Sequence, residues 1–323
     1  MFYRKLLQTH KIYRKFKTYP NIGSDYWKDK LAQYEVSPQK VEYDPTTGKL
    51  FYKPLGIYLT PNKHDFLLSQ TSVYKINGLK NLSGCEFTID HDEKLIIKID
   101  NTELYIENPQ ELEIAHEIFF MEIYNFVYDK PVVVVDVGMN TGFASLYFAK
   151  RDNVIGVYSY EPFQATYAQA LRNFSLNPSL ESKINPFNYG VGGKEEILSV
   201  EYDYSVKGSI GIEGIAGQYK NSVSKNIVKE NLTIKPFSEV FTDILVQHPG
   251  VEIVAKIDCE GSEYEIIKCL AANNLLHQIK IILMEWHYRG PDTLVEQLQK
   301  VGFVCFSRLP HSKNVGSIYA VRC

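Results

Sequence analysis

The 323-residue sequence has no long apolar run. No stretch approaches the ~20 consecutive apolar residues that a helix needs to cross a bilayer. Charged residues stand among the first positions, where a secretion signal would have its apolar segment. We therefore expect a cytoplasmic protein without a membrane-spanning helix.

Cysteine is scarce, and neither sign of charge is in large excess. None of the five cysteines forms a C-x-x-C pair, which excludes the common zinc and redox motifs and indicates reduced thiols. The formal net charge of −3 gives no electrostatic reason to expect a nucleic acid as partner. Low-complexity tracts are also absent, and a hydrophobic fraction of 45% is typical of a globular protein.

Residues 1–17 combine basic and apolar side chains without any acidic one. The apolar residues recur at helical spacing, which predicts a basic amphipathic helix. Such a helix either packs against its own protein, which is the commoner outcome, or lies on an anionic membrane surface. Peripheral membrane contact through this segment therefore stays open.

The first predicted domain, residues 1–107, consists of this N-terminal extension and a small β-containing module. Apolar residues alternate between 95 and 106 as in a β-hairpin. Asn108, Pro109 and Glu111 then supply a side-chain cap, a proline at the first helical position and an acid in the first turn. We expect this helix to open a second domain, 108–323, to end near Tyr128 and to pack on the sheet that follows.

From Pro131 onward, β and α segments alternate along the chain. This alternation predicts a doubly wound, mostly parallel sheet with helices on both faces. One segment, 185–193, indicates a third strand and its turn, and the last two strands form an antiparallel pair at a sheet edge. Ligands of such sheets bind outside the carboxyl ends of the strands.

The segment Val132–Phe148, VVVVDVGMNTGFASLYF, indicates a buried strand, a tight turn and the start of a helix. Such a turn can present unpaired backbone N–H groups to a nucleotide-like ligand, or it can be an ordinary βα junction. Glu161, at the end of the next strand, favours the first alternative because an acid there can bind ribose hydroxyls. The dinucleotide pattern G-x-G-x-x-G is broken at Asn140 and Phe143, whereas D-x-G-x-N-x-G suits an adenosylmethionine loop.

Two later regions of the sequence contain a candidate lid and further candidate site residues. Glycines fall at every third position between 208 and 217, which predicts a loop that is a candidate lid. Polar residues follow two further buried strands, and the carboxyl-end rule gathers them with the earlier ones at one edge. The residues so gathered are Asp136, Glu161, Asp258, Glu285 and His287.

Four strings, DVGMNTG, YEPF, KIDCEGSEYEI and MEWH, resemble the FkbM family of S-adenosylmethionine-dependent methyltransferases. The resemblance covers residues 108–323, and KIDxEGxE is its most recognisable part. It implies a class I methyltransferase, Rossmann-like fold with a seven-stranded sheet of order 3-2-1-4-5-7-6 and an antiparallel last strand. It also implies O-methylation of hydroxyls on sugars, glycolipids, glycopeptides or polyketides.

This resemblance assigns roles to the gathered residues. The loop, with Asp136, Gly138, Asn140 and Gly142, is expected to bind the methionine part of the cofactor, and Glu161 its ribose. Asp258 either contacts the cofactor or orients a base. His287 is the candidate general base, because its ordinary pKa is near neutrality. Glu263 is expected only to complement the N-terminus of its helix.

Several alternatives remain open on the sequence. Asp258, Glu285 and His287 resemble in placement the magnesium ligands of catechol-type O-methyltransferases. The second Asp-Asn pair of those enzymes is missing, so a metal-free site is favoured. The chain could also be a non-catalytic scaffold that keeps the fold, or an N-methyltransferase, which would need no base.

Overall fold

A computed structural model of the chain describes residues 18–203, 210–211, 214–215, 227–308 and 314–323. The chain divides into two compact units, Met1–Met121 and Glu122–Cys323. This division differs from the predicted boundary between 107 and 108, because the helix that follows Asn108 packs on the preceding helix of the first unit. The predicted amphipathic helix at 1–17 lies outside the described residues.

The first unit contains two three-stranded antiparallel sheets and three α-helices among its described residues. The strands are β1 Val41–Tyr43, β2 Leu50–Tyr52, β3 Ile57–Leu59, β4 Glu86–Ile89, β5 Leu95–Ile99 and β6 Thr102–Ile106. The helices are α1 Asp25–Gln33, α2 Gln70–Lys80 and α3 Pro109–Ala115, with 3-10 turns at Pro38–Lys40 and Asp65–Leu68. The β-containing module and the hairpin of β5 and β6 were both predicted from the alternation of apolar residues.

Helix α3 starts as predicted but ends much earlier. The Asn108 side chain accepts a hydrogen bond from the backbone N–H of Glu111 at 3.0 Å, and Pro109 occupies the first turn. After Ala115 the chain makes a single π turn, His116–Phe120, and Glu122 then adopts a left-handed φ of 53°. A left-handed residue cannot continue a right-handed helix, so the predicted end near Tyr128 is wrong.

Helix α3 and its π turn contact α2 within the first unit. Gly78 of α2 makes this packing close, since a Cβ atom there would lie 2.6 Å from Nε2 of His116.

The second unit is built on one large sheet. Its strands are β7 Val132–Val137, β8 Val154–Tyr160, β9 Ile184–Phe187, β15 Glu252–Ile257, β16 Ile279–His287, β17 Phe303–Arg308 and β18 Val315–Arg322. A smaller sheet and a two-residue pair contain β10 Gly190–Gly192, β11 Glu196–Asp203, β12 Ile210–Gly211, β13 Gly214–Ile215 and β14 Ile227–Pro236. The helices are α4 Phe143–Ala149, α5 Gln164–Ser175, α6 Pro178–Glu181, α7 Phe237–Gln247, α8 Glu263–Ala272 and α9 Asp292–Lys300, with a 3-10 turn at Leu276–Gln278.

The seven strands follow the order β17-β18-β16-β15-β7-β8-β9. Numbered along the chain within this sheet and read from its other edge, the order is 3-2-1-4-5-7-6. Strand β18 runs antiparallel to both of its neighbours, β16 and β17. The class I methyltransferase fold expected from the resemblance is therefore confirmed, including the antiparallel pair at the edge.

Segment 185–193 is not one strand with its turn. Strand β9 ends at Phe187, and β10 then pairs in parallel with β14 in the smaller sheet. Asn188 lies between them and donates its side-chain N–H to the backbone oxygens of Glu161 and Pro162, at 3.0 and 3.3 Å. These bonds hold the chain near the end of β8 while it passes from one sheet to the other.

The core of the second unit lies around the central strands. All six residues of β7 are buried, which explains its nearly continuous run of valines, because a parallel strand is covered by helices on both faces. Most of the glycine-spaced loop predicted between 208 and 217 lies outside the described residues, apart from the paired β12 and β13. Among the described helices, none has the length and apolar character that crossing a membrane requires.

Candidate active site

The β7–α4 loop packs directly on the backbone that follows β15. Gly138 has a φ of 78°, and a Cβ atom built there would lie 1.7 Å from the carbonyl oxygen of Asp258. Only glycine fits a contact this close, and it also adopts the left-handed conformation without cost. Gly138 thereby sets the distance between the two loops that border the site.

The loop does not present a row of unpaired N–H groups, as its sequence suggested. The N–H groups of Gly138 and Met139 donate to the carbonyl oxygen of Tyr160, at 3.2 and 3.0 Å. The N–H of Asn140 donates to the Glu161 carboxylate at 3.0 Å, and that of Thr141 to the Asn140 side chain at 2.7 Å. These hydrogen bonds therefore hold the loop in a fixed conformation, and the N–H groups that make them are already engaged.

Gly142 is closely packed against helix α5. It has a φ of 86° and precedes α4, and a Cβ atom there would lie 2.6 Å from Cε1 of Phe174 on α5. Asn173, one residue earlier on α5, donates to the Thr141 carbonyl oxygen at 2.7 Å. Helix α5 thus fixes the far side of the loop.

Glu161 lies at the end of β8 with only 5% of its surface exposed. Its Oε2 accepts the Asn140 N–H and its Oε1 the Phe163 N–H, both at 3.0 Å. Burial raises its pKa to about 7, against the lowering effect of these two hydrogen bonds. Because a carboxylate has about four lone-pair sites, the side chain keeps acceptor capacity after both bonds are made.

Asp136 is completely buried beneath the loop. Its Oδ2 accepts a 2.6 Å hydrogen bond from Ser145, and its Oδ1 lies 3.2 Å from Nζ of Lys256. Lys256 is also buried, and it donates to the carbonyl oxygens of Val137 and Gly138 at 3.2 and 2.6 Å. Asp136 therefore supports the loop from below through Lys256, and its carboxylate is not open to a ligand.

Asp258 follows β15 and is the more open acid, with 27% of its side chain exposed. Its Oδ2 accepts a 2.8 Å hydrogen bond from the hydroxyl of Tyr124 and lies 3.8 Å from Nζ of Lys256. Burial and the nearby Asp258 raise the pKa of Tyr124 well above its ordinary value, so the phenol stays a donor. Tyr124 and Lys256 together orient the Asp258 carboxylate.

His287 ends β16 and points into a group of acids. Its Nδ1 lies 3.0 Å from Oε1 of Glu263, a fully buried carboxylate. Glu263 also accepts the backbone N–H groups of Cys259 and Gly261, at 3.0–3.1 Å. The expected role of Glu263 was only to complement its helix N-terminus, whereas the structure makes it the partner that fixes the histidine ring.

The other ring nitrogen, Nε2 of His287, lies 3.6 Å from both Oε2 of Glu260 and Oε1 of Glu285. Although burial lowers its pKa, Glu263 and the other acids outweigh that effect and raise it to about 10. Burial also raises the pKa of Glu260 to about 7. The surrounding acids therefore favour the doubly protonated, cationic form of the imidazole.

Three of the gathered residues meet at a single point. One ligand atom from each of Asp258, Glu285 and His287 lies within 4.8 Å of the others. Glu161 borders the β7–α4 loop instead, and Asp136 lies below it. The site thus has a loop side, formed by the β7–α4 loop and Glu161, and an acidic side, formed by Asp258, Glu285 and His287.

Comparison with known proteins identifies the domain that carries this site. A model of the FkbM methyltransferase domain matches residues 136–305, more than half of the chain. The chain belongs to the FkbM methyltransferase family. Methyl transfer is therefore the reaction class of this domain.

Two curated relatives are similar over part of the chain. Methyltransferase 1 of Beauveria bassiana (strain ARSEF 2860) is 25% identical over 171 residues, which are 50% of this chain and 68% of that protein. Methyltransferase sdnD of Sordaria araneosa is 21% identical over 223 residues, 63% of this chain and 86% of that protein. A solved FkbM methyltransferase from Methylobacillus flagellatus KT is 12% identical, with a TM-score of 0.44, over 63% of this chain and 47% of that one.

Sequence reasoning missed two functional partners and the true role of a third. Tyr124 stands 134 positions before the Asp258 that it contacts, and no local pattern marked it. Lys256 and Glu263 belong to the KIDxEGxE string, yet their partners lie on other strands. One sequence feature did indicate such contacts, namely Lys256, a lysine near an acid at the end of an apolar strand.

Proposed function

We propose that this FkbM-family chain transfers a methyl group from S-adenosylmethionine to a hydroxyl of a saccharide-like acceptor. The observation that carries the proposal is the acidic group around His287 at the ends of β15 and β16. A hydroxyl must lose its proton during methylation, whereas an amine acceptor needs no such group. The saccharide is the acceptor that the family resemblance of the motifs implies.

The residues on the loop side fit the cofactor. Glu161 is a strand-end acid with acceptor capacity left for ribose hydroxyls. Gly138, Asn140 and Gly142 shape the adjoining loop, against which the methionine part would lie, and Asp258 borders that loop on its other side. Asp136 contributes indirectly, because its buried contact with Lys256 holds the loop carbonyls in place.

S-adenosylmethionine supplies an electrophilic methyl group on a sulfonium. In the transfer, the carbon–sulfur bond breaks with its electron pair going to sulfur, and an acceptor oxygen lone pair forms the new carbon–oxygen bond. The hydroxyl proton leaves to a neighbouring group or to water. The protein has to hold oxygen, methyl carbon and sulfur in line, exclude competing water and receive or displace that proton.

We place Asp258 and His287 at the acceptor. The acids around His287 favour its cationic form, in which neither ring nitrogen has a lone pair left to accept a proton. Asp258 is partly exposed and is oriented by Tyr124, which suits it to accept a hydrogen bond from the acceptor hydroxyl. Glu263 keeps His287 in place beside it.

Two substitutions test the assignment in one series of assays. His287→Ala is expected to abolish formation of S-adenosylhomocysteine with a panel of saccharide acceptors while leaving cofactor affinity in calorimetry nearly intact. Glu161→Ala is expected to weaken cofactor binding by removing the ribose acceptor. His91→Ala, an exposed histidine in the first unit, and Glu181→Ala, an exposed acid, are the matched controls.

Wild-type turnover in the His287→Ala variant would contradict the placement of His287 at the acceptor. An unchanged cofactor affinity in the Glu161→Ala variant would contradict the ribose assignment. A chain that binds cofactor but methylates none of the acceptors would favour the scaffold alternative.

A further inference from the structure

The acidic side of the site has the geometry of a cation site. Strands β15 and β16 are parallel neighbours, so Asp258 and the pair Glu285 and His287 leave the sheet side by side. Their ligand atoms lie within 4.8 Å of one another. Ligands bound at ~2.1–2.6 Å around one hard divalent cation are separated by ~3–5 Å, which is the range observed between these atoms.

His287 supplies a second observation that points to a ligand. Only 3% of it is exposed, yet its Nε2 faces the carboxylates of Glu260 and Glu285 at 3.6 Å, beyond hydrogen-bond distance. Its Nδ1 is bonded to the buried Glu263, which is itself held by two backbone N–H groups. Metal-binding histidines carry this same arrangement, in which a carboxylate on the far nitrogen fixes the ring and raises its basicity.

The acidic side of the site carries more negative than positive charge, which favours the binding of a cation. Four carboxylates, those of Asp258, Glu260, Glu263 and Glu285, surround the one imidazole. Lys256 lies 3.8 Å from Asp258 Oδ2, but it is closer to Asp136, at 3.2 Å, and donates to two carbonyl oxygens.

We infer that Asp258, Glu285 and His287 Nε2 bind a divalent cation of the Mg²⁺ or Mn²⁺ type, with Glu263 as the positioning residue behind His287. Two oxygen donors and one nitrogen suit such an ion better than a thiolate-seeking one. Asp258 and Glu285 have 27% and 33% of their side chains exposed, so the cation would keep coordination positions open toward the acceptor.

The role of the cation rests on the proposed function. A bound acceptor hydroxyl would lose its proton more easily beside the cation. The binding of the cation itself does not depend on that role. The proposal departs from the preference for a metal-free site that the missing Asp-Asn pair suggested.

The test is a titration of the full chain with Mn²⁺ alone, followed by electron paramagnetic resonance. We expect one tightly bound Mn²⁺ per chain, with a nitrogen coupling in the pulsed spectrum from the His287 imidazole. Asp258→Asn and Glu285→Gln should each weaken binding at least tenfold, and His287→Gln should remove the nitrogen coupling. Glu263→Gln should weaken binding about 10- to 100-fold by releasing the ring.

A second group of side chains in the chain provides the matched control. Asp90, His91 and Asp92 also bring three ligand atoms within 4.8 Å, but the last two are exposed. Asp90 Oδ1 already accepts the backbone N–H groups of Asp92 and Lys94, at 2.9 and 2.8 Å. Asp92→Asn is therefore expected to leave Mn²⁺ affinity and the nitrogen coupling unchanged.

The proposal would be overturned if no Mn²⁺ bound below about 1 mM, or if Asp92→Asn weakened binding while Asp258→Asn and Glu285→Gln did not. Circular dichroism of each variant shows whether it is folded. Methyl transfer measured with and without a chelator separates the two proposals. Cation binding without methyl transfer to any acceptor would leave the site standing and reject the proposed function.

Discussion

A hydrogen atom is the only side chain that fits at Gly138, because the carbonyl oxygen of Asp258 occupies the place of a Cβ atom. Nearly the same φ, 77° against 78° at Gly138, occurs at Gly250, where a Cβ atom would have nothing within 4 Å. A Cβ atom at Gly250 would therefore add backbone strain alone, whereas a Cβ atom at Gly138 would add backbone strain and a steric clash.

Gly250→Ala is expected to lower the free energy of unfolding by about 1–2 kcal/mol, the cost of a left-handed L-residue. Gly138→Ala should cost more than about 4 kcal/mol, because the two loops must also move apart. Equilibrium unfolding in urea measures both values, and calorimetry then measures cofactor binding by whatever remains folded. Equal losses in the two variants would show that the loops separate easily at Gly138.

Strands β7 and β15 are joined at their ends by a side chain as well as by their backbones. Lys256 and Asp136 are partners in the register of the two strands, and both are buried. The same ammonium reaches the carbonyl oxygens of Val137 and Gly138 and approaches Asp258. This cation therefore links the central strands to both loops of the site.

Lys256→Met is expected to lower the free energy of unfolding by about 3–5 kcal/mol, because it leaves a buried carboxylate without a partner. The exposed Lys268, with 72% of its side chain exposed, is the control, and Lys268→Met should change stability by less than about 0.5 kcal/mol. Urea unfolding compares the two variants. A Lys256→Met variant as stable as the wild type would show that the contact between Lys256 and Asp136 does not stabilise the fold.

The stability of the second unit should depend on pH through its buried acids. Burial raises the pKa of Glu161 from its ordinary 4.5 to about 7, and Glu260 is shifted in the same direction. A raised carboxyl pKa means that the folded state holds the proton more tightly than the unfolded state. The resulting stabilisation is complete below pH 4.5 and is lost as pH rises through 7.

Without cofactor, stability should therefore fall between pH 4.5 and 7, by at most about 1.4 kcal/mol per pH unit for each such acid. Glu161→Gln, which cannot titrate, should show a shallower fall than the wild type over this range. Each unit contains one tryptophan, Trp27 and Trp286, so urea unfolding of a Trp27→Phe background reports on the second unit alone. Parallel curves for the two proteins would contradict the shifted pKa.

Much of the architecture was readable from local patterns. The alternation of β and α segments predicted the parallel sheet, and the motif strings implied its strand order. The rule that sites lie at the carboxyl ends of strands brought Asp258, Glu285 and His287 together before any coordinates did. The start of α3 at Asn108 followed from the chemistry of a helix cap. These features depend on periodicity and on residues close in the chain, which a sequence displays directly.

The chemical state of the site depended on contacts between distant residues. Tyr124 reaches Asp258, Glu263 reaches His287, and Lys256 holds Asp136, each across separate elements. The loop that its sequence suggested as an N–H donor turned out to satisfy its own donors. Side-chain partners, burial and the pKa values that follow from them are properties of packing in three dimensions. For that reason the residue types and their shared edge could be predicted, whereas the proton on His287 and the acidic group around it required the folded chain.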